Sequence, residues 1–255
     1  VNGAALPPIA DVLVVIPAAG SGSRFESGAP KALFELAGQT LLARAMSNAA
    51  GMRGIVAIVV AAPPEHVEQV RALCGQLKSA VVDRGLVVAG GADRAVSVAR
   101  ALTGARRAGL EYSIVLVHDA ARALAPVVLF DRVADAVRSG HPAVIPVLPI
   151  SDTVRRVDAS GTAIETLDRA ALRTVQTPQG FSAELLHAAH DAASAAGIGS
   201  SSSEILAAIT DDAGLVERLG CRPHTVLGEP GAMKITRRHD VLLAETLLCL
   251  ANSVT

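Results

Sequence analysis

Between Val12 and Lys31 the chain runs through five apolar residues, Val12-Leu-Val-Val-Ile16, then Pro17-Ala-Ala-Gly-Ser-Gly-Ser-Arg24, then Phe25 to Pro30, and reaches Lys31. The β-branched run is the pattern of a strand buried on both faces. The small residues after it let backbone N–H groups close on a phosphate or a base edge. Arg24 and Lys31 set two cations beside that loop, which suits a multiply phosphorylated ligand. A strand that feeds such a loop commits the chain to an α/β sheet with its ligand at the strand's C-terminal end.

Two familiar phosphate loops are excluded by their spelling. A dinucleotide fingerprint requires a third glycine, for close packing of helix on strand, but after Gly20 and Gly22 that position is Phe25. No acidic residue closes the second apolar run at Ala61-Ala62 either. A P-loop requires Gly-Lys-Ser/Thr, whereas Lys31 stands in Ala29-Pro30-Lys31-Ala32. The bland alternative is a Gly-Ser turn that only joins a strand to a helix.

With 255 residues, 51% of them apolar, the chain has material for a full core, and a net charge of −1 argues against nucleic acid or a membrane surface as its partner. Each apolar run is interrupted before it reaches membrane-spanning length, and the first ten residues lack a basic leader, so a cytoplasmic location is expected. Cys74, Cys221 and Cys249 have neither disulfide nor zinc spacing. His187 and His190 lie three apart on a predicted helix, with no acidic or thiol partner nearby in the sequence to complete a metal site. Lysine use is more informative. Only Lys31, Lys78 and Lys234 occur against twenty arginines, and Lys31 and Lys234, which sit in glycine- or proline-bearing turns, are expected where a compact point charge is not interchangeable with a planar fork. Lys78 stands in an ordinary polar stretch.

The periodicities predict an ordered series of elements. After a loose leader over residues 1–10 come strands at 12–16, 55–61, 86–89, 113–118 and 143–147, with helices at 40–50, 67–77, 93–102 and 127–138. Regular alternation of this kind argues for a doubly wound, mostly parallel α/β sheet of Rossmann-like type. The glycines Gly90-Gly91 open a second ligand-facing loop, and Asp119-Ala-Ala-Arg122 stands just past a strand end, where open α/β sheets bind ligands. From Pro149 to Leu167 the alternation stops at a polar hairpin, turning at Asp158–Gly161, which is expected to project as an arm. Beyond it the reading gives a strand at 172–176, a turn at Thr177–Gly180, a helix at 183–196, a Ser-rich loop at 197–203, a helix after Thr210-Asp-Asp212, short strands at His224–Leu227 and Met233–Ile235, and a closing helix at 239–250. One domain over residues 1–255, with an arm at about 149–167, is expected.

Taken in order, Pro-Ala-Ala-Gly-x-Gly-x-Arg with Pro-Lys, Gly-Gly-x-x-Arg-x-x-Ser, His-Asp-Ala-Ala-Arg, Asp-Thr, Asp-Arg, Thr-Pro-Gln, Thr-Asp-Asp and Lys-Ile-Thr resemble the 2-C-methyl-D-erythritol 4-phosphate cytidylyltransferase family over about 12–248. The resemblance implies a nucleotidyltransferase that joins CTP and methylerythritol phosphate, releases pyrophosphate, uses Mg²⁺ or another divalent cation, and acts in non-mevalonate isoprenoid biosynthesis. The substrate's own phosphate is then the nucleophile, so the protein contributes positioning and charge stabilisation.

Carried onto this chain, the resemblance makes Arg24, Lys31, Arg169 and Lys234 the catalytic cations. Ala18, Ala19, Gly20, Gly22, Gly91, Ser97, Asp119 and Ala120 contact CTP, with Gly91 and Ser97 on the cytosine edge. Asp119, Arg122, Thr153, Arg169, Thr177, Thr210 and Lys234 serve the second substrate, and Asp119 is the candidate for the metal. Two departures stand out: Ala92 replaces the acid common after the double glycine, with Asp93 one place later, and Ala123 replaces the proline usual after the arginine of the Asp-Ala-Ala-Arg motif. The family's arm forms a homodimer and reaches the neighbouring site. From the length, no fused cyclase is expected. Rival readings are a ribitol 5-phosphate cytidylyltransferase, which shares the loop, the Asp-Ala-Ala-Arg motif and the arm, a CTP-binding regulator without catalysis, and a Rossmann oxidoreductase, already disfavoured by Phe25.

Overall fold

The structure is a computed structural model that describes residues 10–20, 30–77, 79–196 and 211–253. Most of the leader, Lys78, the 197–203 loop, and Gly22, Arg24 and Thr210 lie outside the described residues.

Strand β1 (Val12–Pro17) is followed by a small ribbon of β2 (Glu35–Leu36) and β3 (Gln39–Thr40), which leads into α1 (Leu41–Ala50). The Thr40 hydroxyl caps α1 by accepting from Ala43 N at 3.1 Å. Next come β4 (Ile55–Ala62), α2 (Val67–Gln76), a single turn α3 (Ala80–Asp83), β5 (Leu86–Ala89), α4 (Arg94–Arg107), β6 (Ile114–Val117), α5 (Val127–Arg138) and β7 (Ala143–Pro149). Strands β8 (Val154–Val157) and β9 (Ala163–Leu167) form the expected hairpin. Its turn is built on Asp158, whose Oδ1 accepts from Ser160 N and Thr162 N at 2.9 Å each, and on Gly161 at φ +83°. The chain ends with β10 (Arg173–Val175), β11 (Gln179–Ser182), α6 (Ala183–Ala195), α7 (Asp212–Glu217), β12 (His224–Leu227) and α8 (Arg238–Ser253).

The main sheet runs β5-β4-β1-β6-β11-β7, with β10 antiparallel to the end of β7 and β12 also paired with β7. Pairings β5–β4, β4–β1, β1–β6 and β7–β12 are parallel, while β11 is antiparallel to both β6 and β7. Period-two alternation divides β1 between the two faces. Val12, Val14 and Ile16 pack with α1, α2 and α5; Leu13 and Val15 pack with α4 and α6. A smaller cluster of Leu36, Leu41, Ala123, Ile235 and Ala244 seats α8 against the first ribbon. The chain winds outward from β1 through β4 to β5 and then returns to β6 on the other side of β1. That reversal opens a crevice at the carboxyl ends of β1 and β6, the usual ligand position in such sheets.

Two expectations are corrected. Thr177–Gly180 is not a simple turn: a cis Thr177–Pro178 peptide leads directly into β11. Register shows why, since Val175 pairs with Val147 and Gly180 with Val144, so the β10–β11 side spends two extra residues at 176–178. One antiparallel path beside β7 is thereby interrupted. Met233–Ile235 is not a strand; it is an extended segment held where Ile235 N donates to Ala121 O at 2.9 Å.

Candidate active site

The crevice is a cavity of about 480 Å³, within the range typical of small-molecule sites. Its walls come from four segments: Pro17–Gly20 after β1, Lys31-Ala32, Gly91–Arg94 with Ser97 at the start of α4, and Asp119–Ala121 after β6, joined by Lys234 and Thr236. The structure thus brings together Ala18, Ala19, Gly20, Lys31, Gly91, Ser97, Asp119, Ala120 and Lys234 of the expected set. Arg122, Thr153, Arg169 and Thr177 are not in the wall of this chain's own cavity.

The Gly90-Gly91 loop needs its glycines for close approach. A Cβ on Gly90 would fall 2.3 Å from Ala19 Cβ, and one on Gly91 2.1 Å from Val96 Cγ1. Ser97, 2% exposed, organises this loop from beneath. Its hydroxyl accepts from Gly91 N at 3.0 Å and donates to Asp93 O at 2.8 Å. Asp93, the displaced acid of the motif, is the helix cap: its Oδ1 accepts from Val96 N at 2.8 Å.

Asp119 is the electrostatic centre. Lys234 Nζ stands 2.8 Å from its Oδ2, and Arg94 Nε donates to its Oδ1 at 3.2 Å. Burial opposes ionisation of this carboxyl, but Arg94 and then Lys234 outweigh it and hold Asp119 well below the usual carboxylate range. Arg94 also donates through Nη1 to Asp212 Oδ2, and Asp212, 0% exposed, meets His190 Nε2 at 3.0 Å through its other oxygen. Burial works against the guanidinium charge, and the two carboxylates reverse that, raising Arg94 above its ordinary value.

Several expected contacts have structural partners here. The Thr177 hydroxyl accepts from Asp119 N at 3.0 Å and shares a hydrogen bond with His118 Nδ1 at 3.2 Å, so it fixes the strand-end turn from behind. His118 is fully buried beside Phe130, and burial holds its imidazole down at about 4, against the pull of Asp119. Arg122 donates to Ala232 O at 2.7 Å and Val175 O at 3.1 Å, tying down the loop that carries Lys234. Arg169 donates to Ser151 O at the base of the arm, and Thr153 is exposed on the arm. Three supporting residues carried no sequence-based assignment. Arg94 and Asp212 form the network above, and Asp240 accepts from Thr236 N, Thr236 Oγ1 and Arg237 N at 2.7–2.8 Å through Oδ2. Arg94 was visible as the arginine of Gly-Gly-x-x-Arg; Asp212 and Asp240 are spelled like ordinary helix-start acids.

Among the described residues no group of three or more His, Cys, Asp or Glu side chains converges as a metal site. Among the described residues two carboxylates line the cavity, and Asp93 is committed to its cap while each Asp119 oxygen already meets a cation. Such a donor set fits a divalent ion that arrives on a polyphosphate, with Asp119 as the protein oxygen in reach, rather than a resident ion. Among the described residues no helix is long and apolar enough to cross a membrane.

A switch-point cavity lined by small-residue backbone and lysines, on a mostly parallel sheet, defines a nucleotidyltransferase. The profile of the family described as IspD, 2-C-methyl-D-erythritol 4-phosphate cytidylyltransferase, matches residues 12–249, and the chain belongs to that family. Proteins of that name from Frankia casuarinae and Saccharopolyspora erythraea are 46% and 45% identical over 237 residues, which is 93% of this chain and 81% and 99% of theirs. The crystal structure of the Thermus thermophilus protein of the same name superimposes with a TM-score of 0.71 at 35% identity, covering 93% of this chain and 98% of that one.

Proposed function

We propose that this chain transfers the cytidylyl group of CTP to 2-C-methyl-D-erythritol 4-phosphate by direct displacement, with a sugar-alcohol phosphate oxygen attacking the α-phosphorus as the bond to pyrophosphate breaks. The observation that carries the mechanism is the state of the cavity's hydroxyls. Ser97 and Thr236 are the hydroxyl side chains in the described wall, and both are committed, Ser97 to the Gly91 loop and Thr236 to Asp240. Among the described residues no hydroxyl of the wall is thus left for a covalent enzyme intermediate, and attack by the substrate phosphate needs none.

In this reading the Ala18–Gly20 backbone and the Gly91 loop hold the nucleotide. Lys31, with Arg24 from outside the described residues, opposes the negative charge that grows on the α-phosphate and on the departing pyrophosphate. Lys234 answers the phosphate of the second substrate, beside Thr210 and Arg122. A divalent cation, when bound, supplies further charge neutralisation on the triphosphate, with Asp119 as its protein ligand. Arg169 and Thr153 are assigned to the cavity of a second copy in a homodimer. That assignment is supported by their absence from the described wall of their own cavity and by the exposed Val157 and Ile164 on the hairpin, each 57% exposed.

Pyrophosphate release by the purified chain, supplied with CTP and Mg²⁺ and with either methylerythritol phosphate or ribitol 5-phosphate, tests the assignment. The expected outcome is a higher kcat/KM with methylerythritol phosphate. A preference for ribitol 5-phosphate would move the chain to the other substrate, and CTP binding with no release from either would make it a regulator.

A further inference from the structure

The ion pairs behind the cavity wall are more elaborate than charge balance requires. Lys234 alone would neutralise Asp119, yet Arg94 takes the other oxygen of that carboxylate at 3.2 Å, and a second carboxylate, Asp212, takes Arg94 from behind. Asp212 is fully buried, does not line the cavity, and is itself fixed by His190 at 3.0 Å. A guanidinium is a rigid planar fork, so fixing Nη1 on Asp212 fixes the direction in which Nε points. Lys234 is different: its side chain is 46% exposed and carries a mobile point charge.

From this asymmetry we infer that Arg94, braced by Asp212, is a positioning residue that holds Asp119 in place and serves as its permanent counter-ion, which leaves Lys234 able to leave Asp119 for an incoming phosphate. The inference rests on the reaction assigned above. When Lys234 turns to the substrate, an Asp119 without Arg94 would be a buried carboxylate with no protein cation bonded to it, a state that costs far more than an exposed one. Lys234 would therefore remain captive on Asp119. With Arg94 in place the carboxylate keeps one partner throughout, and the lysine's charge is available where phosphates meet.

The test combines single variants with a double-mutant cycle. Arg94→Met is expected to lower kcat/KM by about 10–100-fold, the usual range for residues one contact removed from the reacting groups. Asp212→Asn keeps the Arg94–Asp119 contact and removes only the brace, so a smaller loss is expected; Arg94→Lys, which keeps the charge but cannot span both carboxylates, should fall between wild type and Arg94→Met. Because Arg94 acts through Asp119, Arg94→Met should cost little further activity in an Asp119→Asn background. An equal cost in both backgrounds would overturn the inference, as would variants that melt at lower temperature yet turn over normally per folded molecule. The same cycle read in melting temperature, without substrate, stands apart from the reaction. If the wild-type chain releases no pyrophosphate, the assigned reaction fails, and the melting cycle then decides the pairing, non-additive midpoints upholding it and additive ones rejecting it.

Discussion

Lys31 follows Pro30 in a short 3-10 turn at the cavity wall, while Lys234 is delivered from the other end of the chain by a loop that Arg122 and Asp240 tie down. Their separate supports allow separate tasks, and the first is testable. Lys31→Ala and Arg24→Ala are each expected to lower kcat by about 10²–10³, the typical cost of losing one donor aimed at a developing anion, with little change in KM for CTP. Lys31→Arg should recover only part of the loss, because a fork does not reproduce a point charge. Steady-state kinetics decide the matter: near-native kcat with a raised KM would mean the charge serves binding alone. At this scale the lysines were legible because so few occur and both lie in motif turns. Thr177 was legible as important but not in its role, since the partners that engage its hydroxyl, Asp119 N and His118, lie 58 and 59 residues away in sequence. Arg94 was legible as a motif residue but not in its role, for the same reason: its partner Asp212 lies 118 residues on.

Among the elements, the interrupted path of β10 and β11 does the most for the site. At the break, Gln176, 4% exposed, turns its amide away from the ladder: Oε1 accepts from Glu229 N at 2.9 Å and Nε2 donates to Glu229 O at 2.8 Å. That paired contact fixes the start of the loop leading to Lys234. Gly228 is required beside it, since a Cβ there would meet Gln176 Oε1 at 2.4 Å. Gln176→Met should therefore take the partner from Glu229 N, while Glu229 O keeps Ala232 N at 2.9 Å; a cost of about 1–3 kcal/mol is expected in denaturant unfolding, with a lower kcat from misplacing Lys234. Lost stability with unchanged turnover per folded molecule would confine Gln176 to the fold. Sequence periodicity found the parallel strands well, because runs such as Ile55–Ala62 are apolar throughout. It missed β11, whose Gln-Gly-Phe-Ser has one large apolar residue and a glycine that reads as a turn. Gly180 is there for packing instead: a Cβ would lie 2.6 Å from Val133 Cγ1 on α5. Met233–Ile235 misled in the opposite sense, as apolar residues that bury Ile235 under α8 without joining a sheet.

For the molecule as a whole, the arm sets the prediction. If the hairpin serves a second copy, the Arg24→Ala chain keeps a sound arm on a damaged body, and the Arg169→Ala chain the reverse. Refolded together, the two inactive homodimers should give mixed dimers in which one site is wholly native, and activity should return. Mixed dimers verified by mass that remain inactive would place Arg169 in its own chain's site. The position of β11 has a consequence for how the chain reaches this state. Strands β5, β4, β1 and β6 are complete by residue 117, but β11, which fills the gap between β6 and β7, is not made until residue 182. On a growing chain the free edge of β6, with Val115 and Val117 bound for the core, waits some sixty residues for its neighbour. Until then the nascent sheet is an open template for strands of other chains, so the antiparallel strand that joins β6 to β7 is also the segment whose arrival ends the period of aggregation risk.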